Sequence, residues 1–318
     1  MTAKELRCSS SRKTGFWTHV QKRLVESWQW YVLLIPAIIY VAIFSYGPMY
    51  GVQIAFKNYK PKLGAAGSPW LDPVLKNFIR FINYPDFWKM IRNTLSITLY
   101  FLLIFPLPIL FALMLNEVRN LKLKKTLQMI TYAPHFISTV VVVGMLKLFL
   151  SPTVGIVNHM IVALGGNPIN FLTEARMFRG VYVWSDIWQN TGWNAVIYIA
   201  ALAGIDPELH EAATVDGASR LRRIWHIDIP GILPTIIILL IMSTGSIINV
   251  GFEKVNLMQN DLNASTSEVI STYAYKVGLQ KAEYSYASAV DFFNSVVTLV
   301  LLVIVNTISK RVTETSLW

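Results

Sequence analysis

Amide, aromatic and acidic side chains interrupt the long apolar stretches of this 318-residue chain, and they are of the types that bind saccharides. Amides exchange hydrogen bonds with neutral hydroxyl groups, and indole rings accept the apolar faces of sugar rings. Polar side chains within a membrane are costly and usually face a helix bundle or a wet cavity. The sequence therefore predicts a polar substrate path formed by Gln189, Asn190, Trp193, Asn194, Tyr198, Asn249, Glu253, Asp291 and Asn294.

These side chains share faces when each apolar stretch is drawn as a helix that turns about 100° per residue. The fourth stretch presents Asp186, Gln189, Asn190, Trp193 and Ile197, with Asn194 at the edge, while Trp184 and Trp188 point away. The fifth presents Thr235, Met242, Ser246, Asn249 and Glu253, and the sixth presents Asp291, Asn294, Ser295, Thr298 and Asn306. Three polar faces suggest one hydrated route. The alternative for each amide is that it ties one helix to another.

Helices that cross a membrane must position these faces. The chain is 54% hydrophobic and only 14% charged, and its apolar residues form long runs rather than alternating. A hydrocarbon core needs about twenty apolar residues per helix. We predict an all-α integral membrane protein with six transmembrane helices, near 29–50, 92–115, 127–150, 180–203, 233–252 and 290–309.

A polar, helix-forming segment separates the fourth and fifth apolar runs. Asp206 and Pro207 form a helix start, because aspartate caps free N–H groups and proline lacks one. Gly217 is a natural left-handed stop. Ser219 can cap a second short helix, which Pro230 would close. This predicts a helix–glycine–helix unit on which the small Ala212 and Ala213 allow a partner's backbone to approach closely.

This segment resembles the EAA loop of permease subunits in type I binding-protein-dependent ATP-binding-cassette importers. That motif reads Glu-Ala-Ala, three residues, Gly, nine residues, then Ile-x-Leu-Pro; here Ile229 replaces the leucine. The resemblance implies a coupling loop at 204–232 that docks in an ATPase cleft. Its ATPase-coupling residues would be Glu211, Ala212, Ala213, Asp216, Gly217 and Pro230. Glu211 would pair with a basic side chain there; alternatively, it only favours its own helix N-terminus.

Further segments resemble the branch of these permeases that imports oligosaccharides and polysaccharide fragments. They begin at Tyr46, Tyr132, Trp188 and Gly251 and read YGPMYG, YAPHFIS, WQNTGW and GFEK; SLW ends the chain. The resemblance implies alternating access driven by two separate ATP-binding subunits. It also implies a second, different permease subunit, an extracytoplasmic solute-binding protein and an oligosaccharide substrate.

Charge and hydropathy predict how the chain lies in a bacterial plasma membrane. Residues 1–28 are basic and polar and form a predicted cytoplasmic tail, followed by a permease domain at 29–318. An even number of spans places both termini and the coupling loop on the cytoplasmic side, with moderate support from the positive-inside rule. The net charge of +10 borders the spans, which indicates contact with lipid and not with nucleic acid.

Nothing in the chain predicts catalysis, a metal or a bound cofactor. There is no G-x-x-x-x-G-K-[ST] sequence, so ATP and magnesium are expected on the partner ATPases. Cys8 is the single cysteine. His135, after Pro134, either faces a pore or packs at a helix break. The alternative function is an ion-coupled secondary transporter built on Asp186 and Asp291, which would leave the EAA-like loop unexplained. A structural or receptor-like membrane protein is a third reading.

Overall fold

The computed structural model describes residues 27–247, 251–313 and 316 of the chain. In these residues every regular element is helical, and the single strand-like feature is an isolated bridge between Lys57 and Trp70. The all-α prediction is confirmed. Residues 1–26 of the predicted tail at 1–28 and Asn249 lie outside the described residues, and Trp28 already belongs to the first helix.

Four described helices are long and apolar enough to cross a membrane. They are α1 (Trp28–Phe56), α3 (Phe87–Asn116), α9 (Arg220–Thr244 and onward to Ile247) and α12 (Tyr284–Arg311, ending at Thr313). Apart from short helical turns at Gly64–Gly67, Ala175–Met177, Ala264–Ser267 and Lys276–Gln280, the other described helices are α2 (Lys76–Ile82), α4 (Leu121–Phe136), α5 (Thr139–Phe149), α6 (Ile156–Ala163), α7 (Phe178–Ala203), α8 (Pro207–Val215), α10 (Phe252–Met258) and α11 (Ile270–Tyr275).

The region predicted as a third continuous span, 127–150, is instead a bent pair. Helices α4 and α5 meet at an angle of 100° and together are apolar enough to count as one span. Pro134 lies in the last, 3₁₀ turn of α4, where its missing N–H interrupts the helical ladder. Ser138 then starts α5 by accepting a hydrogen bond from the Val141 amide. The bend follows from this proline–serine pair.

Helix α9 begins earlier than the sequence predicts. It runs from Arg220–Arg223 through a π-helical turn at Ile224–Asp228 into the apolar segment Ile229–Ile247. The expectation that Pro230 ends a separate short helix is wrong. The wider π turn lies just before Pro230 and accommodates a ring that would clash with the carbonyl four residues back in a regular helix.

The buried core consists of three clusters along the bundle. One joins α2, α3, α11 and α12 around Phe81, Met90 and Val290. A second surrounds Val183 of α7. The third packs the ends of α3 and α7 against the start of α9 around Ile232. Helix α7 contributes to the second and third clusters and so forms the central post of the described bundle.

Helix α1 stands apart from this core. From Trp28 to Tyr50 none of its side chains is buried within the chain. Only its last turns, Tyr50–Phe56, pack against α12, where Ala55 is fully buried. The outward apolar surface of α1 is therefore available to lipid or to another subunit.

Helix α7 crosses α4 at a contact that only glycine permits. A β-carbon built on Gly192 would lie 2.2 Å from the backbone carbonyl oxygen of Thr131, far inside van der Waals contact. The clashing atom belongs to the main chain, so a rotamer change cannot relieve it. Gly192 thus sets the distance between α7 and the bent pair.

We expect Gly192→Ala to lower the stability of the folded protein by about 1–3 kcal/mol, because overpacking a close helix crossing forces the backbones apart. Gly180→Ala is the matched control, since a β-carbon at Gly180 on the same helix meets nothing within 4 Å. Thermal denaturation of the detergent-purified proteins would measure the difference. Equal midpoints for the two variants would contradict the crossing described here.

Candidate functional site

The loop between α7 and α9 carries a short helix, α8, with a well-formed beginning. Asp206 caps it by accepting a hydrogen bond from the Glu208 amide at 3.0 Å. Pro207 occupies the first helical position, where its missing N–H leaves no donor unpaired. Glu208 lies in the first turn, where the helix dipole favours negative charge. The local sequence is therefore sufficient to start α8 where it was predicted.

The end of α8 is a Schellman turn centred on Gly217. Gly217 has φ +76°, a left-handed conformation that favours glycine. Its amide donates to the Thr214 carbonyl at 3.1 Å, and the Ala218 amide donates to the Ala213 carbonyl at 2.9 Å. The chain then enters α9 after Ser219.

Helix α8 is joined to α9 by side chains as well as by the turn. His210 Nε2 lies 3.3 Å from Oδ1 of Asp228, whose side chain is buried near the start of α9. Arg223 of α9 donates to the Thr214 hydroxyl. At the base of the loop, the Ile205 side chain packs directly on Gly231. These contacts make α8 and the beginning of α9 one unit.

Many residues of this unit, including most of the predicted coupling residues, are exposed. Glu211, Ala212, Asp216, Gly217 and Pro230 are exposed, and Ala213 is half-buried. Four large apolar side chains are also more than half exposed around them, namely Leu209, Val215, Leu221 and Trp225. Within the described residues Glu211 forms no ion pair. Exposed apolar side chains together with an exposed carboxylate have the composition of a docking surface.

A cavity of about 400 Å³ lies between α3, α7 and α9, and we call it the central cavity. Several predicted path residues meet there. Its polar lining consists of Tyr182, Asp186, Asn190, Thr191, Asn194 and Tyr198 of α7 and Ser243 of α9. The predicted polar face of α7 therefore does line a cavity, and α9 supplies the facing wall.

A neighbouring space of about 430 Å³, the side cavity, brings together residues from the helix break, α7 and α10. His135, Gln189 and Glu253 line it, and Asp186 and Asn190 line both cavities. Gln189 is buried and donates to the Ile137 carbonyl oxygen at 2.9 Å, so this amide ties α7 to the break. Tying one helix to another is the alternative role that the sequence suggests for each amide.

A chain of polar contacts crosses the two cavities. His135 Nδ1 lies 2.9 Å from Asn190 Oδ1, and Asn190 Nδ2 donates to Asp186 Oδ1 at 3.1 Å. The ammonium of Lys254 also reaches Asp186 Oδ1, at 3.4 Å. Lys254 was not predicted as a site residue. Its signal in the sequence was a cation next to Glu253, just past an apolar run.

An aromatic stack adjoins this chain of contacts. The rings of His135 and Trp193 are parallel within 3°, with centroids 4.7 Å apart, and Phe136 meets Trp193 edge-on. The exposed fraction of Trp193 is 42%, so part of its indole ring is not covered by the chain. His135 is therefore packed at the helix break and also lines the side cavity, which combines the two readings of this residue.

The polar residues predicted to share one face of the sixth span lie in different surroundings. Asp291 is exposed and lines a separate cavity of about 610 Å³ beside Tyr275 and Tyr284. Asn294 is buried within the bundle. These two residues do not join the lining of the central cavity.

Known proteins resemble this chain over nearly its whole length. Residues 63–314 match the family described as "Binding-protein-dependent transport system inner membrane component". Protein LplB of Bacillus subtilis (strain 168) is 44% identical over 303 residues, which cover 95% of this chain and 94% of LplB. The polygalacturonan/rhamnogalacturonan transport system permease protein YteP of the same organism is 41% identical, with 93% and 92% covered.

Solved structures show the same fold. A chain in the crystal structure of a bacterial ABC transporter involved in the import of the acidic polysaccharide alginate matches with a TM-score of 0.85 and 41% identity. The match covers 93% of this chain and 99% of that chain. A second structure, of the alginate transporter in complex with an alginate pentasaccharide-bound periplasmic protein, matches with a TM-score of 0.84. This chain therefore belongs to the family of binding-protein-dependent transport system inner membrane components.

Proposed function

We propose that this chain is the transmembrane permease subunit of an ATP-driven importer that takes up oligosaccharides or polysaccharide fragments by alternating access. One observation carries the proposal. The exposed unit at 204–232 connects α7 directly to α9, and these two helices form facing walls of the central cavity. A displacement of α8 is therefore transmitted to both walls. The related permease YteP and the alginate transporter support a saccharide as the cargo.

The energy source in this proposal is outside the chain. Two ATP-binding subunits would hold ATP and magnesium, while this chain binds no cofactor and catalyses no reaction. These subunits would dock on the exposed surface of α8. Glu211 and Asp216 would be the charged contacts, and the partner would approach most closely at Ala212, Ala213 and Gly217. Pro230 would support the base of the loop.

The proposed topology has six spans in the bacterial plasma membrane. They are α1, α3, the bent pair α4–α5, α7, α9 and α12, preceded by a tail at 1–28. Both termini and the coupling loop lie on the cytoplasmic side. A second, different permease would complete the path, and an extracytoplasmic solute-binding protein would deliver the sugar, as the alginate complex with its periplasmic protein suggests.

The arrangement of acidic residues disfavours the ion-coupled secondary transporter. Such a transporter needs a self-contained ion site, for which Asp186 and Asp291 were the candidates. Asp186 is paired with Lys254, whereas Asp291 lines a different cavity. The two carboxylates therefore do not converge.

We expect Gly217→Asp to abolish most saccharide stimulation of ATPase activity in the reconstituted importer while the subunits still co-purify. A β-carbon in the left-handed turn costs on the order of 1 kcal/mol and displaces the end of α8. Gly204→Asp makes the same change at the end of α7, where φ is −87°, and should retain stimulation. Full stimulation of the Gly217 variant would show that this loop does not couple the subunits.

We expect Glu211→Ala to reduce the saccharide-stimulated ATPase activity about tenfold, the effect of losing one charge-assisted contact at a docked interface. Glu208→Ala is the matched control, because Glu208 is also an exposed glutamate on α8. Co-purification of the ATPases would be measured in parallel. If both variants retain full activity, Glu211 serves only its own helix.

We expect Trp193→Ala to raise the saccharide concentration for half-maximal uptake about fivefold, the equivalent of ~1 kcal/mol of lost stacking. Trp188→Ala controls for the loss of an exposed indole, since Trp188 lies on the other side of α7 and its exposed fraction is 50%. Uptake of labelled saccharide into proteoliposomes provides the measurement. An unchanged half-maximal concentration in Trp193→Ala would remove this ring from the path.

A further inference from the structure

Asp186 and Lys254 form an ion pair whose two side chains differ in solvent exposure. The Lys254 side chain is only 6% exposed, whereas the Asp186 side chain is 29% exposed. Lys254 Nζ also lies 5.2 Å from the centroid of the Tyr182 ring, which covers it from one side. A buried ammonium is stable only when a negative partner accompanies it. The carboxylate therefore faces the cavities, and the ammonium supports it from behind.

The contacts of Asp186 leave one oxygen available. Both the Lys254 ammonium and the Asn190 amide reach Oδ1. Among the described residues no donor reaches Oδ2, although Asp186 lines both the central and the side cavity. An ionised carboxylate is an acceptor only, and each oxygen can accept more than one hydrogen bond. A ligand that donates hydrogen bonds, such as a saccharide hydroxyl, matches Oδ2.

The described lining of the two cavities holds two carboxylates, Asp186 and Glu253, and one ammonium, Lys254. Among their described lining residues Lys254 is the only lysine or arginine, and Asp186 neutralises it. Glu253, which is exposed and lines the side cavity, adds a negative charge, and Asp291 lines the next cavity along. A carboxylate on the cargo would thus meet carboxylates before it met the one cation. Like charges at short range in a partly dry site repel strongly.

We propose that the Asp186–Lys254 pair determines specificity in this chain's half of the path, where Asp186 binds the hydroxyl groups of uncharged saccharide units and disfavours units that carry a carboxylate. This inference rests on the proposed importer function and narrows its substrate class. Lys254 acts as a positioning residue, because its ammonium contacts Asp186 Oδ1 and so fixes the orientation of the carboxylate. The preferred cargo would then differ in charge from the acidic polysaccharide of the alginate transporter.

The test compares two probes that share a carbon skeleton and differ in charge, tetragalacturonate and its fully methyl-esterified form. Each is added to the complete importer in proteoliposomes with its binding protein, and the stimulation of ATPase activity is measured. We expect the uncharged ester to stimulate the wild type about tenfold more strongly than the acid, the scale of one unfavourable charge contact. Using one binding protein throughout keeps its own preference constant between variants.

Two variants separate charge from packing. Asp186→Asn leaves the Lys254 cation without its partner, so the ratio of ester to acid should fall towards one through a gain with the acid. Asp186→Asn combined with Lys254→Gln removes both charges, so its ratio should lie between those of the wild type and Asp186→Asn, because Glu253 alone still repels the acid. A purely structural role predicts that the double variant is no better than the single one and that neither changes the ratio.

The inference is overturned if the acid stimulates the wild type at least as well as the ester, or if Asp186→Asn leaves the ratio unchanged. A different result would overturn the proposed function itself. If neither probe, nor neutral galactotetraose, stimulates the wild type or any variant while basal ATPase activity persists, the importer does not handle saccharides.

Discussion

A broken helix inside an apolar bundle has to satisfy the backbone groups that the break sets free, and this constraint organises the protein. Helices α4 and α5 bend by 100° after Pro134, and lipid offers no water to the exposed carbonyls. Gln189 of α7 donates to the carbonyl of Ile137 at the bend. A polar face on α7 is therefore required by the architecture before any substrate is considered. Gly192 keeps α7 close enough for this contact to form.

The same polar face also lines the central cavity. Asn190 contacts His135 on one side and Asp186 on the other, and both Asn190 and Asp186 line the central cavity. One row of side chains therefore both ties α7 to its neighbours and lines a cavity. Helix α7 leads through α8 into α9, so two walls of the central cavity connect to the same exposed loop.

The sequence predicts best where the rules are local. Asp206, Pro207 and Gly217 lie at the two ends of α8, because capping and left-handed turns depend on a few neighbouring residues. Helical periodicity also placed Asn190 and Asn194 beside one cavity. The continuation of α9 through Pro230 was not predicted, because a π turn leaves no recognised pattern. The pairing of Lys254 with Asp186 joins segments that are distant in sequence, so local rules do not predict it. The different surroundings of Asp291 and Asn294 depend on how α12 packs, which local rules do not predict either.

The exposure of the α1 side chains has a consequence for how the chain inserts into the membrane during synthesis. Its segment from Trp28 to Tyr50 buries nothing within the chain, so it can enter the bilayer as soon as it leaves the ribosome. Helix α7 is not among the helices apolar enough to span alone. A centrally placed aspartate opposes insertion by about 2.5–3.5 kcal/mol on the translocon scale. Helix α7 packs against α3 and α4, which precede it in the chain, so both have been synthesised before its polar face enters the membrane.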